Sequence, residues 1–174
     1  MDRFIITGAP GTGKTSLLRL LGADFETVDE PARELLAEFR EAERDRPGDQ
    51  EFVELILRRS IEKYVTSADV AGAGPVFFDR GLPDCVAYAK HLEVHLAGGE
   101  VATGQYRCAT DVFIAPVWEK IYTNDEERQM TITQVQNFHR CVVEAYRAAN
   151  YRLVELPRIS IADRAAFIRS RIGR

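Results

Sequence analysis

The chain has 174 residues, 45% of them hydrophobic and 29% charged, and 23 Lys and Arg against 27 Asp and Glu give a formal net charge of −4. That length suits one domain over residues 1–174, able to bury a core without disulfides. The mildly acidic balance excludes a dedicated duplex-binding surface, where phosphate contacts dominate affinity, and no run reaches the roughly 18 apolar residues of a membrane span.

Taken in chain order, Phe4 to Thr7 reads as a short buried strand and Lys14 to Leu21 as a helix ended by Gly22. "FETV", Phe25 to Val28, is a second strand. "EPARELLAEFREAER" follows as a helix, with Pro31 suited to its first turn. "EFVELILRRSIEKYVTSA" carries apolar residues at helical spacing, and "VFF" is a third strand. "PDCVAYAKHLEVHL" reads as a helix, and "GGEVATGQYRCAT" as a loop with a short helix. "DVFIAPV" is a fourth strand, "TNDEERQM" a polar, mobile segment and "TITQVQNFHRCVVEAYRAAN" a long helix. "YRLVEL" is a fifth strand, and "SIADRAAFIRSRI" a final helix that Ser160 caps. Strands alternating with helices predict an α/β fold, a parallel sheet covered on both faces. Ligands of such sheets bind beyond the carboxyl ends of the strands, so the residues there matter most.

After the first strand, Gly8, Gly13, Lys14 and Thr15 fit G-x-x-x-x-G-K-[ST] without mismatch. At average usage a chance match in a chain this long is under about 1%. The strand-loop-helix setting is the one that phosphate binding requires. Glycines let backbone N–H groups converge on phosphates, and the helix start adds its positive dipole end. The candidate nucleotide-binding residues are therefore Gly8, Ala9, Pro10, Gly11, Thr12, Gly13, Lys14, Thr15 and Ser16. Lys14 is expected on the β- and γ-phosphates and Thr15 on Mg²⁺, which makes a nucleoside triphosphate the expected ligand.

"FFDRG" puts Asp79 at the end of the third strand, where an aspartate either holds Mg²⁺ or starts the next helix. Arg80 follows it, where many motor-type ATPases have a water-activating glutamate. "VDEPAR" puts Asp29 and Glu30 after the second strand. These carboxylates either accept a proton from a substrate hydroxyl or serve as helix cap and surface ion pair. Arg33, Arg80 and Asp84 are the candidate acceptor-binding residues. Arg128 is either a lid arginine that closes on the phosphates or part of a solvated charge run. His91 and His95 stand one turn apart, too little by itself for a metal site, and His139 finds no partner in the sequence. Cys85, Cys108 and Cys141 are widely spaced without a metal pattern, which predicts reduced, mostly buried thiols. The start "MDRF" has neither a signal core nor a myristoylation glycine, so a cytoplasmic protein is expected.

"TGAPGTGKTSL", "DEPAREL", "FDRGLPDCVAY", "WEKIYTNDEER" and "YRLVELPRISIADRAAFI" together resemble the predicted ATP-binding proteins labelled AAA-like. That group is similar to the kinase domain of the NAD-biosynthesis regulator that phosphorylates ribosylnicotinamide. The resemblance implies a P-loop NTPase fold of five parallel strands in the order 2-3-1-4-5. It extends to thymidylate and deoxynucleoside kinases, where an acidic "EP" follows strand two and "DR" or "ER" follows strand three. By that analogy Glu30 matches the first motif, and Asp79 and Arg80 the second. The expected function is a kinase moving the γ-phosphoryl group of ATP, with Mg²⁺, to a small metabolite or nucleoside-like acceptor. The alternatives are a nucleotide-dependent switch, a partner-activated ATPase and a catalytically silent ATP-binding module.

Overall fold

Each apolar run bounded by polar or glycine-rich sequence becomes a strand, and helices cross over between them. A computed structural model describes residues 2–70, 74–118 and 130–173. In chain order the elements are β1 (Arg3–Gly8), α1 (Lys14–Leu21), β2 (Glu26–Val28), α2 (Pro31–Glu41), α3 (Asp49–Val70) and β3 (Val76–Asp79). Then follow α4 (Leu82–His91), α5 (Gly99–Gln105), β4 (Asp111–Ala115), α6 (Ile132–Ala148), β5 (Arg152–Glu155) and α7 (Ile161–Arg171). The sheet order is β2-β3-β1-β4-β5, as the resemblance implies. Every pairing is parallel, with Ile6 opposite Asp79 on one side of β1 and Gly8 opposite Ala115 on the other. No helix among the described residues is long and apolar enough to cross a membrane.

Alternation along β1 divides the core between the two faces of the sheet. Ile6 packs with Leu17, Leu21, Phe77, Phe113 and Ile168, under α1 and α7. Ile5 packs with Phe78, Val135, Phe138, Val142 and Tyr146, under α4 and α6, and Ala9 joins this same cluster. A third cluster, built from Ala32, Leu35, Phe52, Ile56, Leu82 and Cys85, joins α2 and α3 to α4. The phosphate loop therefore leaves a strand that is buried on both faces, and its first turn is fixed by core packing.

Three helices end sooner than their apolar pattern suggests. Glu43, Glu93 and Asn150 take left-handed φ angles of 51°, 55° and 57°. At each, the next N–H reaches back to the last full turn: Arg44 to Phe39, Val94 to Ala89 and Tyr151 to Tyr146, at 2.9–3.0 Å. These are the bonds of a Schellman stop, usually made on glycine. Two are made here on glutamate, so α2 ends at Glu41 rather than Arg44, and α4 at His91 rather than Leu96.

Gly8 has a φ of +131°, and a Cβ there would stand 2.5 Å from the carbonyl oxygen of Ala115. Both the backbone conformation and the β1–β4 approach require glycine. Gly8→Ala is expected to lower stability by about 3 kcal/mol or more, read from urea denaturation. An unchanged midpoint would show that the turn accepts a side chain.

Candidate functional site

The phosphate loop is shaped by its own glycines and internal hydrogen bonds. Gly8, Gly11 and Gly13 all have positive φ angles, of 131°, 70° and 84°. Thr12 Oγ1 and Lys14 Nζ each donate to the carbonyl oxygen of Ala9, at 2.8 Å. Lys14 is thereby folded back over its own loop, 5% exposed. Gly13 starts α1 without a side-chain cap, which leaves the first N–H groups of the helix to the loop. Thr15 and Ser16 present exposed side chains at that helix start. From the far side, Arg164 of α7 is fully buried. Its Nη1 donates to the Thr12 carbonyl at 3.0 Å and its Nε to the Pro157 carbonyl at 2.8 Å. Its guanidinium lies 5.3 Å from the centre of the Trp118 ring.

Arg80 organises the other half of the site. Its backbone is left-handed, with φ at 74°, which turns the side chain into the protein just after β3. Nε donates to Glu30 Oε1 at 2.9 Å, and Nη1 donates both to the Gly8 carbonyl and to Asp84 Oδ1 at 3.0 Å. The rings of Tyr88 and Phe138 flank the guanidinium, 5.6 and 5.4 Å away. Burial works against the Arg80 charge, but Glu30, Tyr88, Asp84 and Asp79 outweigh it and hold the side chain firmly ionised. Asp84 accepts further hydrogen bonds from Thr7 Oγ1 at 2.6 Å, Tyr146 OH at 2.5 Å and the Gly81 N–H at 2.9 Å. With both oxygens so occupied, Asp84 has the geometry of a residue that positions Arg80. Gly81 belongs to the same knot, since a Cβ there would meet Ile5 Cδ1 at 2.5 Å.

Asp79 shares the end of β3 but not this pairing. Its Oδ1 is enclosed and has no hydrogen-bond partner among the described residues. Lys14 and Arg80 face the three buried carboxylates Glu30, Asp79 and Asp84, so the cluster holds one negative charge too many. Burial first, and then the charge of Glu30, push the Asp79 carboxyl up to about 6, against the pull of Lys14 and Arg80. An enclosed, under-compensated carboxylate near a phosphate loop fits a divalent cation, with Thr15 as the second protein oxygen.

On the β2 side lies a crevice lined by Asp29, Ser60, Lys63, Tyr64, Asp79 and Arg80, among others, with a volume of about 10 Å³. Glu30 is buried beside it and also accepts from Tyr88 OH at 3.3 Å. Asp29 is exposed, and its carbonyl accepts from Lys63 Nζ at 3.0 Å. Arg33 is half-buried on the first turn of α2. Arg59 pairs with Glu34 and Glu38, and Lys63 with Glu34, so these cations clamp α2 to α3. Arg58 is exposed and faces Glu54. Arg128 lies outside the described residues. His91 packs edge-on against Phe138, with ring centres 5.3 Å apart. All three cysteines are free thiols. Burial pushes Cys85 and Cys108 up to about 12, which makes them inert as nucleophiles. Sequence reading passed over Arg164, Tyr88, Tyr146 and Lys63. Each acts from a different element, and no spacing along the chain links them.

A family model described as "AAA domain" matches residues 3–164, in agreement with the AAA-like resemblance of the motifs. No curated protein matches the sequence. The fold is similar to that of a thymidylate kinase from Candida albicans, with a TM-score of 0.67 and 12% identity over 98% of this chain and 90% of that one. It is similar to deoxyadenosine kinase from M. mycoides with bound dATP, with a TM-score of 0.67 and 12% identity over 99% and 100%. It is also similar to NadR protein in complex with NR, with a TM-score of 0.76 and 18% identity over 99% of this chain and 52% of that one. The chain thus spans about half of that last protein.

The raised Asp79 carboxyl has a measurable consequence. Folded Asp79 keeps its proton up to about pH 6, whereas an unfolded aspartate releases it near about pH 4. Between those values the unfolded chain binds fewer protons, so stability falls as pH rises through the window. Asp79→Asn removes that loss. Its melting temperature is expected a few degrees above the parent's at pH 7.5 and level with it near pH 4. An equal gain at both pH values would show that the cost is not one of ionisation.

Proposed function

We propose that this chain, which belongs to the AAA domain family, is a Mg²⁺-ATP-dependent kinase that moves the γ-phosphoryl group to a hydroxyl of a small, nucleoside-like metabolite. One observation carries the reading: the Arg80 guanidinium joins the phosphate-loop carbonyl of Gly8 to the carboxylate of Glu30. A single planar group thereby sets the spacing between the nucleotide side and the acceptor side. The residue after Asp79 is this arginine, already engaged, and not a carboxylate able to activate water. The acceptor class rests on the fold relatives, two of them nucleoside and nucleotide kinases by name. ATP is preferred to GTP because the sequence has no NKxD guanine-reading motif.

Lys14 exchanges the Ala9 carbonyl for phosphate oxygens, and the N–H groups from Gly11 to Ser16 wrap the phosphate tail. Thr15 and Asp79 would hold Mg²⁺, which would supply charge neutralisation to the phosphate tail. Glu30, fixed by Arg80 and Tyr88, orients the acceptor hydroxyl and receives its proton. Arg33 and Lys63 frame the acceptor from α2 and α3. A crevice of about 10 Å³ holds about one water, so an acceptor enters only when the lining of the crevice moves. That requirement keeps ATP from idle hydrolysis.

Two variants separate the roles. Lys14→Ala is expected to abolish the rise in melting temperature that Mg²⁺-ATP gives the parent, with little change in the ligand-free melt. A normal rise would overturn nucleotide binding at this loop. Glu30→Gln is expected to lower turnover by about 10²- to 10⁴-fold while ATP affinity stays close to the parent's. The decisive experiment incubates the protein with Mg²⁺-ATP and a panel of nucleosides and nucleotides, and follows products by mass spectrometry. A phosphorylated acceptor supports the kinase. Rapid phosphate release without one points to an ATPase, and tight binding with neither product to a switch or a silent module.

A further inference from the structure

His139 belongs to no motif, yet its surroundings are those of a ligand-facing group. It lies on α6 between Val135 and Val142, which are both fully buried. These neighbours share a core cluster with Ala9 of the phosphate loop, the residue whose carbonyl holds Lys14 Nζ at 2.8 Å. The same face of α6 carries Phe138, whose ring lies 5.4 Å from the Arg80 guanidinium that donates to the Gly8 carbonyl. His139 Nδ1 is enclosed and has no hydrogen-bond partner among the described residues. An enclosed polar atom without a partner is costly in a folded chain, and such atoms gather where a ligand completes the structure.

We propose that His139 is a phosphate ligand, with Nδ1–H donating to an oxygen of the nucleotide's phosphate tail alongside Lys14. The inference rests on the reading that the loop holds a nucleoside triphosphate. The electrostatics agree. Burial lowers the His139 imidazole below its usual value, Lys14 lowers it further, and Glu155 opposes them. The ring is therefore neutral near pH 7.5, with one N–H to give. A phosphate placed beside it favours the protonated ring, so nucleotide binding draws in a proton.

The test uses the whole chain and titrates ATP into the parent, His139→Ala, His139→Gln and His139→Asn by calorimetry at pH 7.5. Circular dichroism confirms that each variant is folded. Asparagine keeps a donor near the position of Nδ1, and glutamine moves it towards that of Nε2. The Ala and Gln variants are expected to bind ATP about tenfold more weakly, and Asn within about threefold of the parent. Heats measured in two buffers of different ionisation enthalpy are expected to show more proton uptake in the parent than in His139→Asn. Ala and Gln variants that bind as the parent does would overturn the proposal. Equal weakening in all three would also overturn it, because that pattern belongs to packing. A parent that binds no ATP would overturn the nucleotide reading and this inference with it.

Discussion

The site depends on one buried guanidinium. Arg80 sits 4% exposed at the centre of the sheet's carboxyl edge. It connects three stretches far apart in sequence: the loop after β1, the turn after β2 and the first turn of α4. A charge in such a place is tolerable only when its partners are all present, because desolvation is repaid by geometry rather than by distance alone. The partners are supplied in layers. Glu30 and Asp84 balance the charge, the Gly8 carbonyl accepts a hydrogen bond from the fork, and two aromatic rings close the faces. Asp84 is in turn fixed by Thr7 and Tyr146, so residues of β1 and α6 reach Arg80 at one remove. Arginine suits this place because its planar fork serves several acceptors at once, which an ammonium on a flexible stem does not.

The same arrangement concentrates cost beside the phosphate loop. The pairing of Arg80 with Glu30 and Asp84 leaves Asp79 short of a counter-charge. The loop's lysine is meanwhile held by a neutral carbonyl. The cluster is firmly paired at Arg80 and Asp84 and under-compensated at Asp79. That division lets a preformed site accept charge without rebuilding the core around it.

Much of this was legible in the sequence, for identifiable reasons. Strand periodicity, the glycine-lysine turn and the alternation of elements are local signals, and they located the five strands and α1 within a residue or two. Asp79, Arg80 and Glu30 stood out because strand ends of a parallel sheet are privileged positions. Their partners did not stand out. Nothing adjacent to Asp84 in the chain announces that Tyr146 will donate to it from 62 residues away. The acidic helix stops at Glu43 and Glu93 were hidden because glutamate gives no hint of a left-handed turn. Nor does the run containing Arg59 show that α2 presents Glu34 and Glu38 to it, because helix packing brings them together.

The tether from Arg164 to the Thr12 carbonyl spans 152 residues of chain, and this sets a timetable. A chain is made at roughly 5–20 residues per second, so the loop waits roughly 8–30 s on the ribosome for this donor. The wait is compounded by the sheet. β1 lies between β3 and β4, and both are synthesised after it. Early in synthesis the loop is therefore a glycine-rich segment without its flanking strands or its distal hydrogen bond. The loop's set of hydrogen bonds is therefore complete only once α7 has been made, 152 residues after Thr12.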